Sequence, residues 1–464
     1  MKEKFDWKSF LKALAVIAIP VALQNLLTTT GSMIDTMMVS SLGELQVGAL
    51  GMCAQFSSLM FSCYWGFSGG GALFFSQYWG AKDHKGIERS FGMVLVCMGV
   101  VALIFCGAST CTPQLIMKVY TDKVAIQQVG VEYLRIVGFA YPLQILSVAL
   151  GTLLRSTERV KISLVSSIIS VATNIVFNYL LIFGKFGFPQ MGIRGAAAAT
   201  VIAGLVNVGV TYLFCLVNKY NFVFHFRNHF RWDKLHTKEF FVKCAPVIAN
   251  ELGIGIGNMI INIVLGRQSE QFIAALAVFR TFEGLVISFF VGFSGAAAVL
   301  VGKPVGSGHL HEAFARAKRM VYICMGCTFT VCVSIFAMHT PLLHLMSLEG
   351  ESFKICTMLI LIYCVAATIR MSNWCQNDIY RSGGDAAFGS IIETAAMFIM
   401  LVPLVCLTGL VWKAPYYIVF MMCFVDEPIR FIIMQKHMYS GKWIKPVTPQ
   451  GKEALREFGI RGSE

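Results

Sequence analysis

WGFSGGGALFFSQYWG at residues 65–80 and VGFSGAAAVLVGKPVG at residues 291–306 are two copies of one pattern, 226 residues apart. The same offset aligns IPVALQN at 19–25 with APVIANE at 245–251. A chance match does not keep one register over so many residues, so we interpret the chain as an internal repeat of two structural copies.

The composition places both copies in a membrane. Of the 464 residues, 56% are apolar and 14% are charged, and the apolar residues form long blocks separated by short polar breaks. A helix crosses the hydrocarbon core with about 20 apolar residues. The sequence therefore predicts an all-α polytopic membrane protein with twelve transmembrane helices. The predicted spans are 13–38, 47–77, 91–112, 131–154, 162–183, 193–217, 240–265, 272–300, 320–340, 354–380, 387–409 and 414–435.

The basic residues predict the orientation of these spans. Most of the 38 Lys and Arg residues lie in alternate segments, beginning with the N-terminus, and few lie in the loops between. Cytoplasmic loops carry this excess, so we expect both termini in the cytoplasm of a plasma-membrane protein. The net charge of +13 is thus explained by basic residues on the cytoplasmic side of the membrane, and no nucleic-acid partner is expected. The basic segments contain Lys2, Lys4, Lys8, Lys12, Lys82, Lys85, Arg89, Arg155, Arg159, Lys161, Lys303, Arg316, Lys318, Arg319 and Arg381, six residues in 219–243 and six after 435.

The repeat and the orientation together predict the domains. Each copy has six spans, an even number, so both copies enter the membrane from the same side. We therefore predict two six-helix bundles related by a pseudo-two-fold axis along the membrane normal, as in transporters with alternating access. The expected parts are an N-lobe at 1–217, a cytoplasmic linker at 218–239, a C-lobe at 240–435 and a cytoplasmic tail at 436–464.

Two other interpretations, a cleaved signal peptide at the N-terminus and a membrane enzyme, are disfavoured. The basic start followed by an apolar run mimics a signal peptide, but the run is longer than a signal core and lacks a small-residue cleavage site, so we expect an uncleaved first span. A membrane enzyme requires a catalytic cluster. All nine histidines lie outside the predicted span centres, so we do not expect an enzyme and expect no cofactor.

Asp35 is the first unusual residue. GSMIDTMM at 31–38 places it in an apolar stretch that begins near Leu11 and has no other acid until Glu44. An ionised side chain at a span centre costs about 2.5–3.5 kcal/mol, so it persists only beside a cavity, a partner or an ion. We predict a functional carboxylate. The structural alternative is that Asp35 bonds only to nearby backbone or lies at the outer membrane surface.

The second copy carries more charge within its spans. Arg280 and Glu283 have the spacing of neighbours on one helix face, as do Asp426 and Arg430. For the second pair we favour a structural ion pair. Glu283 and Glu393 fit equally a cleft-facing role in binding cations and a buried pair. The charged residues that we single out in these spans are Glu251, Arg280, Glu283, Arg370, Asp378, Glu393, Asp426, Glu427 and Arg430.

The ordered motifs resemble the multidrug and toxic compound extrusion (MATE) family from about residue 12 to 435. They are Pro20, Gln24 and Asp35 in the first span, GFSGGGALFFSQYWGA, LLRSTER, NIVFNYLLIFGKFGFPQMGIRGAAAAT, APVIANE, GSGHLHEA and RSGGD. The resemblance implies a twelve-helix antiporter of two bundles. Such a protein exports amphipathic, often cationic, organic compounds in exchange for inward H⁺ or Na⁺.

The resemblance also implies an ion-coupling site. Asp35 takes the place of the family's first-span aspartate, with Asn174, Asn178 and Thr200 as companions. The position of Asn178 is commonly Asp in the family, so one charge is missing here. Burial favours a protonated Asp35, whereas the amide and hydroxyl oxygens suit sodium, and both ions stay open.

For the second lobe the resemblance implies that an acid at Glu251 helps to bind substrate or cation. We add Glu283, Arg280, Arg370 and Glu393 as candidate substrate residues, and note that Arg370 repels cations. Anionic and zwitterionic substrates therefore stay open.

The 37 Phe and 23 Met residues give adaptable apolar surface, which suits a pocket that binds many compounds. Pro20 and Pro246, at equivalent places in the two copies, are candidate hinges because proline removes a backbone donor.

A monomer suffices for transport by alternating access. The alternative to an exporter is a flippase for a lipid-linked precursor with a related two-bundle fold.

Overall fold

The computed structural model describes residues 5–345 and 349–461. In these ranges the chain is helical, and its one β-type pairing is an isolated bridge between Gly384 and Ile444. Each predicted span corresponds to a helix or to a broken pair of helices, which we label α1–α12. They are α1 Trp7–Ser40, α2 Glu44–Gly80, α3 His84–Cys111, α4 Val124–Val137 with Ala140–Ser156, α5 Val160–Phe183, α6 Ile193–Val217, α7 Lys234–Leu265, α8 Glu270–Gly306, α9 Leu310–Ala337, α10 Gly350–Gly383, α11 Ala386–Val411 and α12 Tyr416–Met422 with Glu427–Ser440.

Most of these helices suit a membrane by length and apolarity. Among the described residues, ten pass both criteria, and eleven pass if the two parts of α4 form one span, bent by 51° at the break. The twelfth predicted span consists of two short helices, and Asp426 and Glu427 lie where the second begins. Because of the break and these charges, α12 does not form one apolar helix long enough to cross a membrane.

The remaining helices are short and lie between these spans or after the last of them. They are Pro113–Tyr120 between α3 and α4, a 3₁₀ turn at Asn221–Val223 and Phe226–His229 between α6 and α7, His339–Leu345 between α9 and α10, and Pro449–Arg461 after α12.

The chain divides into two compact units. The N-unit contains Leu23–Phe75 and Asp83–Phe241. The C-unit contains the chain up to Ala22, the segment Ser76–Lys82 and the chain from Val242 onward. The first part of α1 and the last turn of α2 therefore belong to the C-unit.

Within the N-unit, the segment between α6 and α7 is held by buried polar contacts. Glu88, at the start of α3, accepts a hydrogen bond from Asn228 (2.7 Å) and pairs with Nδ1 of His225 (2.6 Å). His229 is 1% exposed, and its ring contacts the carbonyl oxygen of Phe222 at 3.1 Å. This segment is thus docked on its unit by specific side chains.

Within the C-unit, the chain after α12 folds back onto helix ends. Trp443 is fully buried, and it packs so closely on Gly383 that a Cβ there would overlap its ring. Gln77 donates to the carbonyl of Ser382 (2.9 Å) and accepts from the backbone of Val447 (2.8 Å). Thr448 donates to the carbonyl of Gly306 at 2.6 Å. The tail is therefore an integral part of the C-unit.

Candidate functional site

The N-unit brings Asp35 against α5. Nδ2 of Asn178 donates to Oδ1 of Asp35 at 2.6 Å and lies 3.1 Å from Oδ1 of Asn174. Asn178 is fully buried, whereas Asp35 and Asn174 are half-buried. Asn174 and Asn178 are four residues apart on one helix, so both amides face the same neighbour. Asp35 thus bonds a side chain of another helix rather than nearby backbone.

Two further contacts join α1 to α5 in this unit. Gln24 donates to the hydroxyl of Ser167 at 2.9 Å. Gly31 lies over Val171, where an added Cβ would come within 2.8 Å of the valine methyl group. With Asp35, these residues form a seam of three contacts along one side of α1. Pro20 lies two residues before the point where α1 passes from the C-unit into the N-unit.

Thr200 has a different partner. Its hydroxyl donates to the carbonyl oxygen of Ala196, one turn earlier on α6, at 3.0 Å. Among the contacts of the described residues, none joins this hydroxyl to Asp35, Asn174 or Asn178. Three of the four predicted residues therefore form a hydrogen-bonded group, and Thr200 stands outside it.

The C-unit contains a cavity of about 490 Å³. Six carboxylates and four arginines line it, together with aromatic and aliphatic side chains. All five second-lobe candidates, namely Glu251, Glu283, Arg280, Arg370 and Glu393, are in this lining. Pro246, also on α7, is not. Residues up to 142 positions apart in the chain, Glu251 and Glu393, thus face one space.

One group of charges in this cavity is centred on Glu283. Arg280 contacts one carboxylate oxygen at 2.5 Å, and Arg370 contacts the other at 3.1 Å. Arg280 also donates to Asn262 at 2.9 Å. Two guanidinium groups thus share one buried carboxylate, and the expected contact of Arg280 with Glu283 on one helix face does form.

A second group is centred on Arg381. Its guanidinium contacts Glu251 at 3.0 Å and lies 4.0 Å from Asp378. The sequence predicts that this span ends at residue 380. The structure extends α10 to Gly383, so Arg381 occupies its last turn and lines the cavity.

A third group, which also lines the cavity, is nearly fully buried. Arg430 contacts Glu393 (3.1 Å), Asp426 (3.2 Å) and Glu427 (3.6 Å). Asn250 and Asn377 both donate to the other oxygen of Glu393, at 3.0 and 2.7 Å. The predicted pairing of Asp426 with Arg430 is present, within a cluster of three carboxylates on one guanidinium.

The repeat that builds both units is matched by one family model. The model described as MatE covers residues 20–180 and 246–407, which correspond to one stretch in each copy. The chain belongs to the MATE family. Family members are transporters, and the chain is accordingly a membrane transporter of the multidrug efflux type rather than an enzyme.

Individual relatives agree with this assignment of the MATE chain. An uncharacterized transporter of Bacillus subtilis, YisQ, is 22% identical over 89% of this chain and 90% of its own length. A probable multidrug resistance protein NorM of Thermotoga maritima is 22% identical over 97% and 96%. A crystal structure of MATE in complex with MaL6 has a TM-score of 0.84 at 15% identity, and covers 93% of this chain and 97% of that one. These matches confirm the predicted MATE fold.

Sequence reasoning missed one member of the MATE chain's charged cavity, Arg381. A signal was available in the repeat, since Arg381-Ser382 aligns with Arg155-Ser156. Arg155 lies in the last turn of α4 and donates to Thr152 at 3.2 Å, so both copies place an arginine inside a helix end. No comparable feature of the sequence indicates that Arg280 and Arg370 share the carboxylate of Glu283.

Proposed function

We propose that this MATE transporter exports amphipathic organic compounds in exchange for inward H⁺, by alternating access. It would act as a monomer in the plasma membrane, with both termini in the cytoplasm. The observation that carries the choice of ion is the donation of Asn178 Nδ2 to Asp35 at 2.6 Å. An oxygen of the Asp35 carboxylate thus already accepts a hydrogen bond from this amide.

Proton loading follows from the same contact. Oδ1 of Asn178 is buried and has no hydrogen-bond partner among the described residues. When Asp35 is protonated, its hydroxyl becomes a donor. Rotation of the Asn178 amide then presents its oxygen to that hydroxyl and turns Nδ2 away. Loading and release of H⁺ thus reverse the direction of the hydrogen bond between Asp35 and Asn178.

Sodium is less well supported by these contacts. A hard cation takes several oxygen ligands. Asp35, Asn174 and Asn178 offer three oxygen-bearing side chains, whereas the fourth candidate, Thr200, makes no hydrogen bond to them among the described residues.

Coupling to substrate movement follows from the seam between α1 and α5. Protonation changes the Asp35 contact, while Gln24 and Gly31 hold the rest of the seam. Pro20 removes a backbone hydrogen bond just before the seam begins, which makes that turn easier to bend. We infer that proton loading lets α1 repack on α5.

Dye efflux from proteoliposomes tests the proposal. A pH gradient without sodium, directed to drive protons into the compartment from which dye is exported, is expected to drive efflux. A sodium gradient at equal pH is expected to have no effect. Efflux driven by sodium alone would replace H⁺ by Na⁺, and failure of both gradients would exclude antiport.

A further inference from the structure

We propose that the N-unit binds one small inorganic anion, such as chloride, between α4 and α5. The guanidinium group of Arg155 and the hydroxyl group of Ser163 hold the ion over Gly151. This site lies outside both the charged cavity of the C-unit and the group around Asp35. The inference therefore does not depend on the coupling ion proposed above.

Arg155 is a cation to which the chain supplies no counter-ion. It lies partly buried in the last turn of α4, and its guanidinium donates to the hydroxyl of Thr152 at 3.2 Å. Among the described residues, no carboxylate forms an ion pair with it. Glu158, the nearest acid in the sequence, is exposed. Charges removed from water are normally paired, so Arg155 calls for an anion from outside the chain.

The second copy of the repeat shows what is different here. The offset of 226 residues aligns Arg155 with Arg381, which contacts Glu251 at 3.0 Å and lies 4.0 Å from Asp378. The residues of the N-unit at the positions of these two acids are neutral, namely Asn25 and Thr152. The first copy thus keeps the arginine and lacks both of its carboxylates.

The N-unit also has space beside this arginine. Gly151 takes the position of Asn377, whose amide in the C-unit donates to Glu393 at 2.7 Å. Gly151 is buried. Apart from the backbone of its own helix, the atoms within 4 Å of its Cβ position are Nη1 of Arg155 and Oγ of Ser163, both at 3.9 Å. A guanidinium group and a hydroxyl group therefore border a small space that a side chain fills in the other copy.

The hydroxyl groups on the α5 side are available to an ion. Ser163 is 5% exposed and Ser166 is 1% exposed, and neither hydroxyl has a hydrogen-bond partner among the described residues. The two serines are three residues apart and so lie on one face of α5. A guanidinium group can only donate hydrogen bonds, and a hydroxyl group can donate one. Donors around a positive charge bind an anion rather than a cation.

A chloride titration tests the inference. Melting of the purified protein in detergent is followed while gluconate, a bulky anion, is replaced by chloride at constant sodium concentration and ionic strength. The melting temperature of the wild type is expected to rise by about 2–4 °C and then level off, because a ligand that binds only the folded protein stabilises it. Arg194→Gln, in a surface ion pair with Glu132, is the control and is expected to respond like the wild type.

Two variants of the site are expected to lose this response. Arg155→Gln removes the charge that holds the ion. Gly151→Ala keeps this charge and fills the space with a methyl group, which lies at an ordinary contact distance of 3.9 Å from its neighbours. Alanine also suits a helix better than glycine, so this variant is expected to fold.

A third variant supplies the missing charge from within the chain. Thr152→Asp gives the N-unit the acid that the second copy has at Asp378, next to the guanidinium of Arg155. Its melting temperature in gluconate is expected to exceed that of the wild type, and chloride is expected to raise it no further.

The comparison of variants decides the inference. No response of the wild type to chloride, or an equal response in Arg155→Gln, would overturn the anion site. A response that is lost in Arg155→Gln but kept in Gly151→Ala would place the ion elsewhere and overturn the site over Gly151. None of these melting measurements depends on an ion gradient, so they are distinguishable from a failure of proton-driven efflux.

Discussion

Gly80 packs against the backbone of the helix that contains Gly306, and Gly306 packs in the same way against the helix that contains Gly80. A Cβ added to Gly80 would overlap the carbonyl oxygen of Lys303, and one added to Gly306 would overlap that of Gln77. The offset of 226 residues relates Gly80 to Gly306 and Gln77 to Lys303. The two copies of the repeat thus meet at this crossing in a reciprocal arrangement, which is what a local two-fold axis requires.

This crossing predicts that glycine is required at both positions. Gly80→Ala or Gly306→Ala forces the ends of α2 and α8 apart, because the obstructing atoms are backbone. We expect a loss of about 1–3 kcal/mol in stability, seen as a lower melting temperature of the purified protein. Gly326→Ala on α9 is the control, since nothing lies within 4 Å of its Cβ position. An unchanged melting temperature for both crossing variants would contradict the tight contact.

Asp35 and Thr200 are predicted to respond differently to substitution. Asp35→Asn removes the group that titrates, so proton-driven dye efflux should fall to the level of empty liposomes. Thr200→Val removes a hydroxyl that bonds its own helix, so efflux should stay within about twofold of wild type, the effect of a few tenths of a kcal/mol. A severe loss with Thr200→Val would instead support a sodium shell that includes this hydroxyl.

Arg430 is predicted to be a major determinant of stability. Arg430→Gln leaves Glu393, Asp426 and Glu427 without their shared guanidinium. Removing one partner of a buried ion cluster costs about 3–5 kcal/mol. The exposed pair of Arg194 with Glu132 offers a comparison, for which Arg194→Gln should cost about 0–1 kcal/mol. Melting curves of the two variants measure the difference, and equal effects would show that the cluster contributes little.

The docked segment before α7 is predicted to loosen in acid. Burial lowers the pKa of His229 below its ordinary value of 6.5, so the docked form favours the neutral ring. The undocked chain binds the proton more readily, and docking therefore loses stability as the pH falls below 6.5. Amide hydrogen exchange of residues 221–233, corrected for the intrinsic effect of pH, should rise in acid.

His229→Gln provides the control for this prediction. The amide can still donate to the carbonyl of Phe222 but does not titrate, so the pH dependence of exchange should become flatter. An unchanged pH dependence would show that His229 is not the group whose protonation loosens the segment.

Several features of this protein could be predicted from the sequence alone. The spans follow from the length of apolar blocks, because a helix must satisfy its backbone hydrogen bonds within lipid. The repeat follows from one register of small residues such as Gly80 and Gly306, which the helix crossing requires. The position of Asp35 within an apolar helix was also enough to single it out, because a membrane disfavours an isolated charge.

Only the tertiary structure decided which partners these residues have. Glu283 is three residues from Arg280 in the chain, yet it also pairs with Arg370 from another helix. Thr200 has the right residue type for an ion ligand and bonds its own backbone instead. Arg381 lies beyond the predicted end of its span, yet the structure extends α10 to Gly383 and brings Arg381 into the lining of a cavity. Helix periodicity predicts neighbours within a helix, but contacts between helices depend on crossing angles and rotations set by all the packed side chains together.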